Sequence, residues 1–273
     1  MSMTINTNTI SLNAQRNLSA SQGSLATSMQ RLSSGLRVNS AKDDAAGMAI
    51  AERIFAQVRG SNVAMRNAND GISLFQTAEG ALGQVAGSLQ RIRELAVQSA
   101  NGAISDADRV NLNAEATQLV SEINRVATTS KFNGVHLLDG TLTTANFQIG
   151  ADSADVIATT INFDMTALAA FSAADISSQS GASSVIDNVD ADLDLVNSAR
   201  AEAGALQSRF ETIVTQLQVY AENMAAARGR IMDADFATET SNLSRAQILQ
   251  QAGTAMVAQA NQVPQQVLAL LRN

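Results

Sequence analysis

The sequence contains no cysteine and only one histidine, His136. Disulfide and thiol chemistry are therefore excluded, and a zinc site has almost no ligands to draw on. Tryptophan is absent and aromatic residues make up 3% of the 273 residues. A core built mainly of Ala, Leu, Ile and Val suits closely packed helices better than an enzyme with a large pocket. Proline occurs once, at Pro264, so long helices meet almost no breaker. No run reaches the roughly 18–20 apolar residues of a membrane-spanning helix. The net charge of -7 has its basic residues scattered, which argues against nucleic acid as a partner, because phosphate binding needs a concentrated basic face. Met1 to Thr7 lacks the basic patch, apolar core and cleavage site of a secretory signal. The expectation is a chain that stays inside or leaves by a route that reads no such signal.

What is present is seven-residue periodicity. From Ile54, steps of seven reach Ser61, Ala68, Phe75, Leu82, Leu89 and Ala96, with Val58, Met65 and Ile72 on a companion row. The rows predict one helix of about 55 residues, roughly 80 Å long. Asn69-Asp70-Gly71 is a turn signal in its middle, but the row stays in phase across it and favours continuity. Glycines 60, 71, 80, 83 and 87 each cost about 1 kcal/mol against alanine, so this helix needs neighbours. Ser105-Asp106-Ala107-Asp108 reads as a capping box ahead of Leu112, Ala116, Leu119, Ile123 and Val126. A third row, Val189, Val196, Ala203, Phe210, Leu217, Met224 and Ile231, is free of polar interruption. Three long helices with these rows should form a left-handed bundle.

Between the second and third helices the period changes. Asn133-Gly134 and Asp139-Gly140 are turn dipeptides, and Val156 to Phe163 is rich in β-branched residues. A small β-hairpin element is predicted over about 135–164, followed by a loop over 165–184 whose Ser/Ala-rich part begins at Ser172.

The two ends carry apolar seams. Leu18, Leu25 and Leu32 stand seven apart beside Met29 and Leu36, on a helix predicted over about 5–35. Leu249, Ala252, Met256, Ala260, Val263, Val267 and Leu270 recur at three and four through the last stretch. Each large side chain of such a seam gains about 1.5–3 kcal/mol on burial and promotes association while exposed. The seams make the chain an interaction device and nominate Leu18, Leu25, Met29, Leu32, Leu249, Met256, Val263, Val267 and Leu270 as its interface. Pro264 interrupts the last helix with apolar spacing continuing on both sides, which predicts a kink rather than a stop.

Arg31 to Gly47 (RLSSGLRVNSAKDDAAG), Leu89 to Gln98 (LQRIRELAVQ) and the segment from Ser241 to Leu271 closely resemble bacterial flagellin. The resemblance spans about 1–165 and 185–273, with only about twenty residues where many flagellins carry large outer domains. It implies a mainly α fold, a long-helix coiled-coil bundle with a small β-hairpin element whose N- and C-terminal helices pair. The implied divisions are an N-terminal filament-core helix (1–43), a helical bundle domain (44–232) and a C-terminal filament-core helix (233–273). The implied function is that of a structural subunit of the flagellar filament, not an enzyme, with no cofactor. The implied location is extracellular, after export through the flagellar type III channel. Implied partners are other copies of the chain, filament cap and hook–filament junction proteins, and an export chaperone at the C-terminal region. The terminal helices would order only on assembly. Arg91, Leu95 and Glu115 match positions read by the vertebrate flagellin-sensing Toll-like receptor. The same three residues also fit an interhelical Arg91–Glu115 ion pair with Leu95 in an axial contact between subunits.

Rival constellations are weaker. Asp190-Ala191-Asp192-Leu193-Asp194 begins like a calcium loop, but Leu195 stands where glycine is required and Ala201 where the closing Glu belongs. An acidic first turn of the third helix is the better reading. His136 has no nucleophile motif around it. Asp43 and Asp44 read as the start of the long helix or a contact with a neighbouring subunit. A hook–filament junction component, or a surface binding module with a convergent polar pocket, are the alternatives to a filament subunit.

Overall fold

The computed structural model describes residues 7–161, 163–169 and 174–271, without the side chains of 263–271. The described residues form five long helices and two small hairpins: α1 (Thr9–Ser34), α2 (Ala45–Ser99), α3 (Asp106–Thr129), α4 (Gln179–Met232) and α5 (Phe236–Leu271). The strands β1 (Lys131–Phe132), β2 (Val135–His136), β3 (Thr144–Gln148) and β4 (Val156–Thr160) lie between α3 and α4. Two compact units are formed, one by residues 1–56 with 223–273 and one by 57–222.

In the 57–222 unit the heptad rows become the core. Ala68, Phe75, Leu82, Leu89 and Ala96 of α2 are buried with Ala116, Ile123 and Val126 of α3 and Val189, Val196, Ala203 and Phe210 of α4. Helix α2 runs uninterrupted through Asn69-Asp70-Gly71. The Asn69 amide donates to the Met65 carbonyl at 2.8 Å instead of starting a turn. Gly71 is needed for packing: a Cβ there would stand 3.2 Å from Phe147 and 3.3 Å from Phe210. Those two rings and Phe75 form a trio with centroids 5.0 to 6.0 Å apart, which seats β3 between α2 and α4.

Helix α3 starts as its capping box predicts. The Ser105 hydroxyl accepts from the Asp108 amide at 3.2 Å and donates to the Asp108 carboxylate at 2.6 Å. Asp106 and Asp108 add negative charge to the first turn. Ser105→Ala should cost about 1 kcal/mol of stability, read as a lower urea midpoint at unchanged slope.

The β element departs from its predicted bounds. It begins at Lys131, because Asn133 (φ 48) and Gly134 (φ 84) form a two-residue turn that pairs β1 with β2. A second antiparallel pair, β3 with β4, aligns Thr144 with Thr160 and Gln148 with Val156. The loop predicted to reach residue 184 ends six residues earlier, at Ser178. The Ser178 hydroxyl accepts from the Gly181 amide at 3.1 Å, its carbonyl accepts from Ala182, and Ala182 and Val185 are buried. A serine- and alanine-rich segment reads as loop only while its cap and its neighbours are unknown.

The described part of the connection is held by side chains. The Ser99 hydroxyl donates to the Ile176 carbonyl, the Asn113 side chain accepts from the Ile176 amide at 3.0 Å, and Asp192 accepts from the Ala169 amide at 2.9 Å. Asp190 and Asp192 therefore do not lie in a first helical turn, since α4 begins at Gln179.

Candidate functional site

In the other unit, α1 and α5 lie antiparallel side by side. Asn8 caps α1 by accepting from the Ser11 amide at 3.1 Å, and its amide group donates to the Ala260 carbonyl at 2.8 Å. Ser11 donates to the Asn261 side chain at 2.8 Å. At the opposite end Arg31 faces Glu239 at 3.9 Å. Between them Leu18 packs on Gly253, where a Cβ would come within 3.2 Å of the leucine side chain.

The residues buried along this pair are small or polar: Ser11, Ser28, Glu239, Ala246 and Ala260. Small side chains let two helices approach closely, which fixes their contact without using their largest apolar groups. The predicted seams therefore turn out differently from expectation. Leu18, Leu25 and Leu32 are half-buried, whereas Met29 (57% exposed), Leu249 (50%) and Met256 (59%) face outward. Ile10, Leu12 and Ile248 join them on the surface. Only Ala260 of the described C-terminal seam is buried. The side chains of Val263, Pro264, Val267 and Leu270 lie outside the described residues, although the helical backbone continues through them to Leu271. The described parts of both ends are helical, with the cap and cross-helix hydrogen bonds given above.

The stretch between α1 and α2 closes on the junction of α4 and α5. Gly35 ends α1 in the left-handed region (φ 72), and its carbonyl accepts from the Ala234 amide at 2.9 Å. The Arg37 amide donates to the Met232 carbonyl at 2.7 Å and the Arg37 guanidinium donates to the Ile231 carbonyl at 2.7 Å. Val38, Ala51 and Met232 form a separate small core beneath. Sequence reasoning placed Arg37 only inside a family motif. Its role is a contact across 194 positions, for which helical periodicity carries no signal. Asp44 starts α2, accepting from the Gly47 amide at 2.8 Å, whereas Asp43 closes the turn before it. Asp43 accepts from the Ser40 hydroxyl and from the Ser40 and Asn39 amides, and these bonds, the Ser40 hydroxyl first, hold its pKa below the ordinary 3.8.

In the 57–222 unit the Arg91 guanidinium bridges Glu94 at 2.8 Å and Glu115 at 2.8 Å. Both carboxylates, Glu94 first, raise its pKa. The interhelical ion pair is thus present. Leu95 is 1% exposed, packed in the core, so it reaches no partner from this surface. This corrects the grouping of Leu95 with Arg91 and Glu115 as a contact residue, and the reason is helical phase: Leu95 falls one residue before Ala96 on the inward stripe.

The rival sites dissolve. Asp190 pairs with Arg93 at 2.6 Å, which lowers the carboxyl pKa chiefly through that hydrogen bond. His136 is half-exposed on β2, 3.9 Å from Asp139. Among the described residues no group of three or more His, Cys, Asp or Glu side chains is placed to hold a metal, and no helix is long and apolar enough to cross a membrane.

Residues 5–143 match the family described as bacterial flagellin N-terminal helical region, and residues 186–271 match bacterial flagellin C-terminal helical region. Between these matches lie both strands of the larger hairpin, the connection after it and the start of α4. The chain is 47% identical over 272 residues to a flagellin of Halalkalibacterium halodurans, covering 99% of this chain and 100% of that protein. It is 44% identical over 313 aligned positions to a flagellin of Xenorhabdus nematophila, covering all of both. Among solved structures, Bacillus cereus flagellin superposes with a TM-score of 0.52 at 31% identity, covering 60% of this chain and 94% of that one.

Proposed function

The chain belongs to the bacterial flagellin family and is a structural subunit of the flagellar filament, not an enzyme, and from that premise we propose how its copies join. The carrying observation is the inverted burial of the terminal pair: small residues hold α1 to α5, and Ile10, Leu12, Met29, Leu249 and Met256 remain in water. Covering the exposed half of each such side chain with a neighbour gains about 1 kcal/mol. Neighbouring copies supply that cover at Met29, Leu249 and Met256 and over the half-buried Leu18, Leu25 and Leu32, and the sequence seam extends the proposed interface to Val263, Val267 and Leu270. Domain roles follow: 1–43 and 233–273 form the filament core, and 44–232 forms the surrounding layer.

Charge sets the conditions. Residues 57–222 hold nine basic and nineteen acidic side chains, a balance of -10, whereas the other unit holds nine basic and six acidic, a balance of +3. Copies packing through the acidic unit repel one another at low ionic strength, and salt screens that repulsion. Negative-stain electron microscopy of purified protein after salt addition tests the reading. Tubular filaments are the expected result, and a product that stays monomeric with added filament seeds would overturn it.

Export through the flagellar type III channel, capping and hook–filament junction proteins at the two filament ends, and a chaperone over the exposed C-terminal seam complete the reading. Arg91 and Glu115, exposed on adjacent helices, are the surface a flagellin-sensing Toll-like receptor would meet. Glu115→Arg is expected to abolish the response of receptor-bearing reporter cells while leaving the thermal midpoint nearly unchanged, because exposed ion pairs contribute little to stability. An unaltered response would remove the receptor from the list of partners.

A further inference from the structure

The chain has neither cysteine nor tryptophan, so its soft, oxidisable groups are essentially the methionine thioethers. Their placement is uneven. Met165 and Met232 are buried, and Met48, Met65 and Met224 are half-buried. Met29 on α1 and Met256 on α5 are the exposed methionines among the described residues, and each shows more than half of its surface. Met256 also lines an open groove of about 630 Å³ together with Ile10, Leu18 and Leu249. Among the described residues the two most exposed methionines thus stand on the paired terminal helices, within the apolar surface that a neighbouring copy would cover.

We propose that Met29 and Met256 are peroxide-sensitive modification sites whose oxidation keeps a subunit out of the filament, an inference that rests on the assembly reading above. A lone pair of the thioether sulfur attacks one oxygen of hydrogen peroxide and the O–O bond breaks. The sulfur loses two electrons and becomes the sulfoxide, and the peroxide is reduced to water. The product replaces a flexible apolar side chain with a polar, chiral one. Burial under a neighbour then requires desolvating the sulfoxide oxygen, which opposes joining. Once a subunit is assembled the same sulfurs are covered, so the device acts on subunits before incorporation, and sulfoxide reductases reverse it.

The test compares wild type with the Met29→Leu/Met256→Leu double variant, a near volume-conserving change, each with and without hydrogen peroxide. Peptide mass spectrometry should place added oxygen on residues 29 and 256 ahead of 165 and 232, and more slowly in preformed filaments. Treated wild type should need at least about tenfold more protein to polymerise, and the treated double variant should stay within about twofold of its untreated control. If the treated double variant loses assembly as wild type does, or wild type oxidised at both positions assembles normally, the proposal is overturned. Should the double variant assemble poorly untreated, reductase treatment of oxidised wild type decides: recovery with reversion at 29 and 256 supports the proposal, and no recovery overturns it. Failure of untreated wild type to polymerise would instead overturn the assembly reading underneath, and the proposal with it.

Discussion

A chain ending at Ala234 should form no filaments while keeping its 57–222 unit folded. The core of that unit draws on residues 68–210, none of which is lost. The removed segment is α5, whose contact with α1 runs from Arg31–Glu239 at one end to Asn8–Ala260 at the other. Without it α1 loses the partner of Leu18, and a helix of 26 residues must then bear an ordering entropy of about 1–2 kcal/mol per residue on its own caps. Far-ultraviolet circular dichroism should retain a cooperative melt, and sedimentation after salt addition should leave all protein in the supernatant. Gly253→Leu should reproduce much of the loss with one side chain, because the Cβ position is already 3.2 Å from Leu18 and the new side chain forces the helices apart. Straight, stable filaments from either protein would overturn the role given to the terminal pair.

The second large effect belongs to Phe210. It is fully buried and lies 5.0 Å from Phe147 and 6.0 Å from Phe75, centroid to centroid. Phe210→Ala removes one wall of this trio and leaves a cavity that helix backbones cannot collapse to fill. A loss of about 3–5 kcal/mol is expected, read by urea unfolding as a lower midpoint at unchanged slope. Phe210→Leu should recover more than half of it. A loss below about 1 kcal/mol would mean that the trio does not anchor β3.

The two results differ in what they probe. Phe210 sits on a row visible in the sequence, where seven-residue spacing and apolar character agree with burial at Val189, Val196, Ala203 and Phe210. Helix continuity through Gly71 was legible for the same reason, since phase persists across the turn dipeptide. The Ser105 cap was legible because it is local. Gly253 and Arg37 were not, because each owes its role to a contact far away in the chain. The first hairpin was set one turn late because two-residue strands carry no period of their own. The start of α4 was missed because serine and alanine resemble a loop until Ser178 is seen as a cap.

The sequence by itself determined the helices, the inward stripe of the bundle and, through long motifs, the family. Periodicity and local capping are properties of neighbours in the chain, and a single sequence holds them fully. Only the tertiary structure decided which face of each terminal helix is spent inside the subunit. Periodicity identifies an apolar stripe but not its partner. The close approach of α1 and α5 through Ser11, Gly253, Ala246 and Ala260 leaves Met29, Leu249 and Met256 in water. That choice depends on how near two backbones can come, and it leaves the subunit with apolar surface for a neighbouring copy to cover.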